Sequence, residues 1–158
     1  MMFKIQPINE QTRGAVVALV IDSWGSEMLW SKGKLHSARE LPGFTAMQDG
    51  ELKGLITYCI ENGECEIISL DSRVANQGLG TQLIATVIDE AKRQHCTRIW
   101  LITTNANTRA IRFYQRRGFN LAAVRLNAMD EARKIKPQIP LMEDGIPIAH
   151  EFEFEKLL

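Results

Sequence analysis

Cysteine is scarce in this chain and falls in no useful pattern: Cys59, Cys65 and Cys96 are odd in number and form no C-x-x-C pair. That excludes a disulfide framework and a zinc site, and the three are expected to be small buried residues. His36, His95 and His150 stand apart, with no ligand spacing to one another, to cysteine or to carboxylate pairs, so no metal is expected. An excess of one charge is missing too. The 19 basic and 19 acidic residues cancel, which removes the broad basic footprint of a nucleic-acid binder and requires any anion site to be local. No apolar run approaches the length of a membrane span, and Met1 to Pro7 lacks the basic region, apolar core and cleavage site of a leader. A cytoplasmic protein without a membrane partner is therefore expected. Repeats and low-complexity segments are absent as well. What remains is one domain, residues 1–158, of ordinary globular composition with 45% hydrophobic and 24% charged residues.

Local patterns lay out the elements. Phe3 to Pro7 predicts a short strand, and Asn9 or Thr12 can cap a helix carrying Val16, Val17, Leu19, Val20 and Ile21 toward Trp24, stopped by Gly25. Ser26 to Leu41 is mixed and predicts a loop with a short helical turn. Phe44 to Gln48, Leu52 to Glu61 and Glu64 to Leu70 predict an antiparallel meander, with hairpin turns at Asp49-Gly50 and Asn62-Gly63. Gln77 to Gln94 has helical spacing, and Arg98 to Thr103 returns as a strand, a strand-helix-strand crossover that should be parallel. Thr108 to Arg117 predicts a helix ended by Gly118, followed by a strand over Phe119 to Leu126. In the tail, Asp130 to Lys136 predicts a turn or two of helix before Pro137, and His150 to Glu155 alternates as a last strand.

Between the third meander strand and the long helix lies Arg73-Val74-Ala75-Asn76-Gln77-Gly78-Leu79-Gly80-Thr81. Two glycines before a helix let backbone approach a ligand, and the free N–H groups of the first turn favour negative charge. Plain strand-to-helix packing is the competing explanation. Two nucleotide-binding patterns fail on position: Thr81-Gln82 follows Gly80 where a P-loop needs lysine, and Leu83 stands where a dinucleotide fingerprint wants a third glycine.

Gly78-x-Gly80 after a strand, followed by Asn107-x-x-Ala110-x-x-Phe113-Tyr114-x-x-x-Gly118-Phe119 after the next strand, resembles the GNAT superfamily of acetyl-CoA-dependent N-acetyltransferases. The likeness is strongest over Glu64 to Leu121. It departs at Ala75, where the family usually carries glutamine or arginine, a side-chain contribution that Gln77 or Arg73 could supply. The resemblance implies an α/β (α+β) fold with a central mixed, mostly antiparallel twisted sheet flanked by helices. It also implies direct transfer of acetyl from acetyl-CoA to a primary amine, of a small molecule or a peptide, in a ternary complex without a metal.

Carried over by position, the resemblance implies coenzyme A contacts at Ile68, Ser69 and Leu70, at Gln77, Gly78, Leu79, Gly80 and Thr81, at Asn107 and at Arg117. A backbone N–H at or near Leu70 would polarise the thioester carbonyl, unless ordinary ladder pairing occupies it. Tyr114 matches the general acid, with a core tyrosine as the alternative. Asn107 has the alternative of a plain helix cap. Arg109, Arg112 and Arg116 share a helix face that could meet phosphate or could simply be solvated.

Glu66 is the expected base, placed by strand alternation on the face of Ile68 and Leu70. Glu64, and Glu151 or His150 from the tail, are the other candidates, and a solvated carboxylate is the plain alternative for Glu66. Trp24, Trp30 and His36 lie where the family builds its amine-binding wall, though core packing is the stronger alternative for Trp24. No cysteine matches a family nucleophile, so a covalent acetyl-enzyme is not expected. A coenzyme A binding or sensing module without chemistry is the alternative function, and a last strand that pairs or swaps between copies would give a homodimer.

Overall fold

Asn9 and Thr12 start the first helix together. The Asn9 side chain accepts from the Thr12 N–H at 3.0 Å, and the Thr12 hydroxyl accepts from the Asn9 N–H at 2.9 Å. This capping box satisfies two of the donors that a helix N-terminus leaves free. The computed structural model describes residues 2–158. In chain order it contains β1 (Lys4–Pro7), α1 (Glu10–Trp24), β2 (Met28–Ser31), β3 (Lys34–Ser37), β4 (Gly43–Gln48), β5 (Glu51–Glu61), β6 (Glu64–Ser72) and α2 (Leu79–Arg93). There follow β7 (Arg98–Thr104), α3 (Thr108–Arg116), β8 (Asn120–Arg125), α4 (Ala128–Ile135), β9 (Met142–Glu143), β10 (Ile146–Pro147) and β11 (Glu151–Leu157). None of the described helices is long and apolar enough to cross a membrane.

One mixed sheet organises the molecule, in the order β1-β4-β5-β6-β7-β11-β8. Only β6 and β7 run parallel, joined by the α2 crossover; the other neighbours are antiparallel. Asp49-Gly50 and Asn62-Gly63 take positive φ at both positions, 53° and 78°, then 53° and 72°, which is the backbone that two-residue hairpins need.

Helices cover both faces. Ile56, Tyr58, Cys65 and Ile67 pack against Leu79, Leu83, Val87 and Ala91 of α2, together with Tyr114 and Phe119 from the α3 end. On the other face Leu55, Cys59 and Ile68 meet Val16, Val20 and Leu41. Gly54 is required for the first of these layers: a Cβ there would sit 2.7 Å from Leu79 Cδ2.

Two segments differ from the sequence expectation. Ser26 to Leu41 is no helical turn: it holds the β2–β3 hairpin, pairing Met28 with Ser37 and Trp30 with Leu35. Its turn is Lys32-Gly33, at φ 47° and 79°. A lysine in the left-handed region gives no compositional sign of a turn, which is why the pattern looked mixed. The tail also contains a small hairpin, β9–β10, around Asp144-Gly145.

Candidate active site

A bulge and a parting of strands create the site. Along β6, Ile67 pairs with Tyr58 and Ser69 with Thr57, so Ile68 is the extra residue. Pairing of β6 with β7 runs from Glu64↔Arg98 to Ile67↔Leu101 and stops there, although both strands continue. From Ile68 onward the β7-facing edge of β6 is open. The Arg73 N–H donates to the Lys53 carbonyl at 2.7 Å. Ladder alternation therefore directs the backbone groups of Asp71 and Ser69 toward β5 and turns the Leu70 N–H toward the opening.

The bulge also changes which side chains share a face. Glu66 and Ile68 do not lie with Leu70, as strict alternation required. Leu70 packs with the α2 layer, while Ile68 packs with the α1 layer and Glu66 sits opposite Cys59. The Ser69 side chain is buried and shares a 2.6 Å hydrogen bond with Thr57.

On the α2 side lies a cavity of about 620 Å³, bordered by Leu70, the whole turn from Ser72 to Thr81, and Arg109, Ala110, Phe113, Tyr114 and Arg117. Among the described residues no carboxylate lines it, whereas three arginines do. Gly78 has φ +70° with open space about it, so it is needed for backbone conformation. Gly80 is needed for packing, since a Cβ there would lie 3.1 Å from Phe113 Cζ. Arg117 stacks on Phe113 at 3.6 Å and donates through Nε to Thr81 Oγ1 at 2.8 Å, tying α3 to the first turn of α2. Arg73 donates to Asp22 and Ser23 of α1, at 2.8 and 2.9 Å. Arg112 and Arg116 are exposed and outside this lining. Tyr114 is buried, with edge-on contacts to Phe113 and Phe119, and burial first, then Asp71, pushes its phenol pKa well up.

The opposite side of the opening carries a second cavity, about 290 Å³. Trp24, Trp30, Ile68, Ile102, Thr103, Thr104, Asn107, Lys136 and Glu151 are among its borders. Trp24 Nε1 donates to Asp71 at 3.1 Å. The Asn107 side chain caps α3, accepting from the Ala110 N–H at 3.1 Å, while still bordering this space. Glu151 is 4% exposed, and burial raises its pKa against the pull of Arg125 and the Lys32 amide.

Glu66 and His36 border neither cavity. Glu66, 8% exposed, accepts a hydrogen bond from Ser31 of the β2–β3 hairpin, and burial pushes its carboxyl up to about 7. His36 is buried opposite Leu29 within the same hairpin, and burial lowers its pKa. Sequence reasoning missed Lys136, Thr103 and Thr104. The two threonines end a strand read correctly, but only the parting from β6 makes that end a wall.

Residues 8–119 match the model of the acetyltransferase (GNAT) family. The chain belongs to that family. Along its length it is 46% identical to the uncharacterized protein YdhI of Bacillus subtilis (strain 168), with 99% of each chain covered. Over 86 residues, 53% of this chain and 58% of the relative, it is 37% identical to the [ribosomal protein bS18]-alanine N-acetyltransferase of Escherichia coli (strain K12). The fold is that of a GNAT family acetyltransferase from Elizabethkingia anophelis solved with acetyl-CoA bound, at TM-score 0.73, 22% identity, and 99% and 98% coverage.

Proposed function

We propose that this GNAT acetyltransferase moves an acetyl group from acetyl-CoA directly to a primary amine. The observation that carries the reading is the open edge of β6 lying between two cavities of opposite character. One is lined by arginines and a glycine turn without a carboxylate; the other carries carboxylates and an apolar wall. The first suits the phosphates of coenzyme A: N–H groups of Gln77 to Thr81 at the α2 N-terminus take the pyrophosphate, and Arg109 and Arg117 add charge. The pantetheine arm pairs with the free edge at Ile68 to Leu70, near Asn107, and brings the thioester to the opening.

In the second cavity the acceptor lies against Trp24 and Trp30. Its ammonium must lose a proton before it can attack, and Glu151 is the buried carboxyl bordering that space, the other, Glu143, being exposed. The amine nitrogen then bonds to the carbonyl carbon, the carbonyl oxygen gathers charge toward the Leu70 N–H, and the carbon–sulfur bond breaks. Tyr114, kept protonated by burial, gives its proton to the departing thiolate. Glu66 is a second reading for the base, favoured by its carboxyl near 7, acting through water because it borders neither cavity.

Direct attack is preferred to an acetyl-cysteine because burial raises all three thiols above their ordinary range, Cys65 to about 12. The Escherichia coli relative named for alanine N-acetylation supports an amine as acceptor. The test is release of coenzyme A thiol from acetyl-CoA against amines, amino acids and peptides. Amine-dependent release that falls in Tyr114→Phe supports transfer, whereas tight acetyl-CoA binding without turnover of any amine supports a sensing module.

A further inference from the structure

Lys136 and two carboxylates, the exposed Glu143 and the buried Glu151, border the acceptor cavity, and among the described residues no ion pair joins Lys136 to either. Lys136, at the C-cap of α4, is half-buried, and its ammonium donates to the Met28 carbonyl at 2.9 Å. Among the described residues it forms no ion pair. An ammonium has three donors, so two remain for a ligand. Burial without a carboxylate partner lowers its pKa, the mark of a cation that an arriving anion would stabilise. Glu151 borders the same space, beside its register partner Thr104 at the open end of β7. The same cavity is also lined by the apolar Trp30, Ile139 and Ile148.

We infer that the acceptor is a free amino acid with an apolar side chain, its carboxylate held by Lys136 and its amine presented to Glu151 at the strand opening. The inference rests on the acetyl-transfer reading for its chemistry but not for its binding. A cavity of about 290 Å³ is at the small end of ligand pockets, enough for one such molecule. A peptide N-terminus would supply the amine and the apolar side chain but no α-carboxylate. It would leave the Lys136 donors unanswered.

The experiment compares L-leucine and L-phenylalanine with L-leucinamide and L-phenylalaninamide, which keep shape and amine but lose the negative charge. Two readouts are taken: kcat/KM by thiol release, and the rise in melting temperature that each compound produces in the presence of coenzyme A. The wild type should favour the acids by at least about tenfold, the scale of one charge-assisted hydrogen bond. In Lys136→Gln, which keeps a donor for the Met28 carbonyl, that preference should collapse toward one, and Lys136→Arg should retain most of it.

If no compound is acetylated but the acids alone raise the melting temperature of wild type and not of Lys136→Gln, the amino-acid ligand class at this cavity stands and the transferase reading falls. Amides as effective as acids in both readouts, acids and amides losing equally in Lys136→Gln, or no effect of either class would overturn the inference.

Discussion

Burial sets the proton chemistry of Tyr114 and Glu66 in a way that can be measured residue by residue. A phenol whose pKa is raised stays protonated across the working range and is useful only as a donor. Tyr114→Phe should therefore lower kcat by about 100-fold while moving KM little, because the ring still fills its place between Phe113 and Phe119. An equal change in KM would point to a packing role instead.

Glu66 makes a statement about stability. Its folded pKa, about 7, lies above the ordinary 4.5, with desolvation outweighing Ser31, Lys32 and Lys34 while Glu153 adds to the rise. The folded state thus binds more protons than the unfolded one between these values. This group's contribution is fully present below about pH 4.5 and is lost as pH rises through about 7, by up to roughly 3 kcal/mol. Urea unfolding of Glu66→Gln should show its stability relative to wild type improving from pH 5 to pH 8; a constant difference would contradict the assignment.

Among the elements, the turn before α2 separates two uses of glycine. Gly78 needs its left-handed backbone and Gly80 its lack of a side chain against Phe113. Gly78→Ala should cost about 1 kcal/mol and weaken coenzyme A binding. Gly80→Val, forced toward the Phe113 ring, should cost about 1–3 kcal/mol. Thermal unfolding and titration with coenzyme A check both.

The same region shows what the sequence could and could not carry. Tyr114 was singled out only by the family resemblance, whereas Gly78, Gly80 and the Asn107 cap were legible because backbone conformation, close approach and capping demand particular residue types. Asn9, Gly25, Asp49-Gly50 and Asn62-Gly63 were legible for the same reason. The bulge at Ile68 was not, since nothing in Glu66-Ile67-Ile68-Ser69-Leu70 marks an extra residue, and strict alternation put Leu70 on the wrong face. The β2–β3 hairpin escaped because Lys32 took the position that asparagine or aspartate would have announced.

At the scale of the whole molecule, the proposed function depends on elements far apart in sequence meeting at one gap. The arginine-lined cavity joins β6, α2 and α3; the second cavity joins α1, the β2–β3 hairpin, β6, β7, α4, β9 and β11. Lys136 was invisible from the sequence for that reason, because only the docking of α4 against the first hairpin gives its ammonium a cavity. A ligand that binds only the assembled fold stabilises it by mass action, about 2.7 kcal/mol at one hundred times its dissociation constant. Coenzyme A should raise the melting temperature accordingly, and Arg117→Ala should reduce the shift, most at low salt, where the charge is least screened.

The measurement that bears most directly on the central claim is amine-dependent thiol release from acetyl-CoA by the wild-type protein, with the acetylated amine identified by its mass. The account predicts stoichiometric release of thiol and formation of an N-acetyl product. Acetyl-CoA bound tightly at the arginine-lined cavity, with no product from any amine, amino acid or peptide, would contradict it.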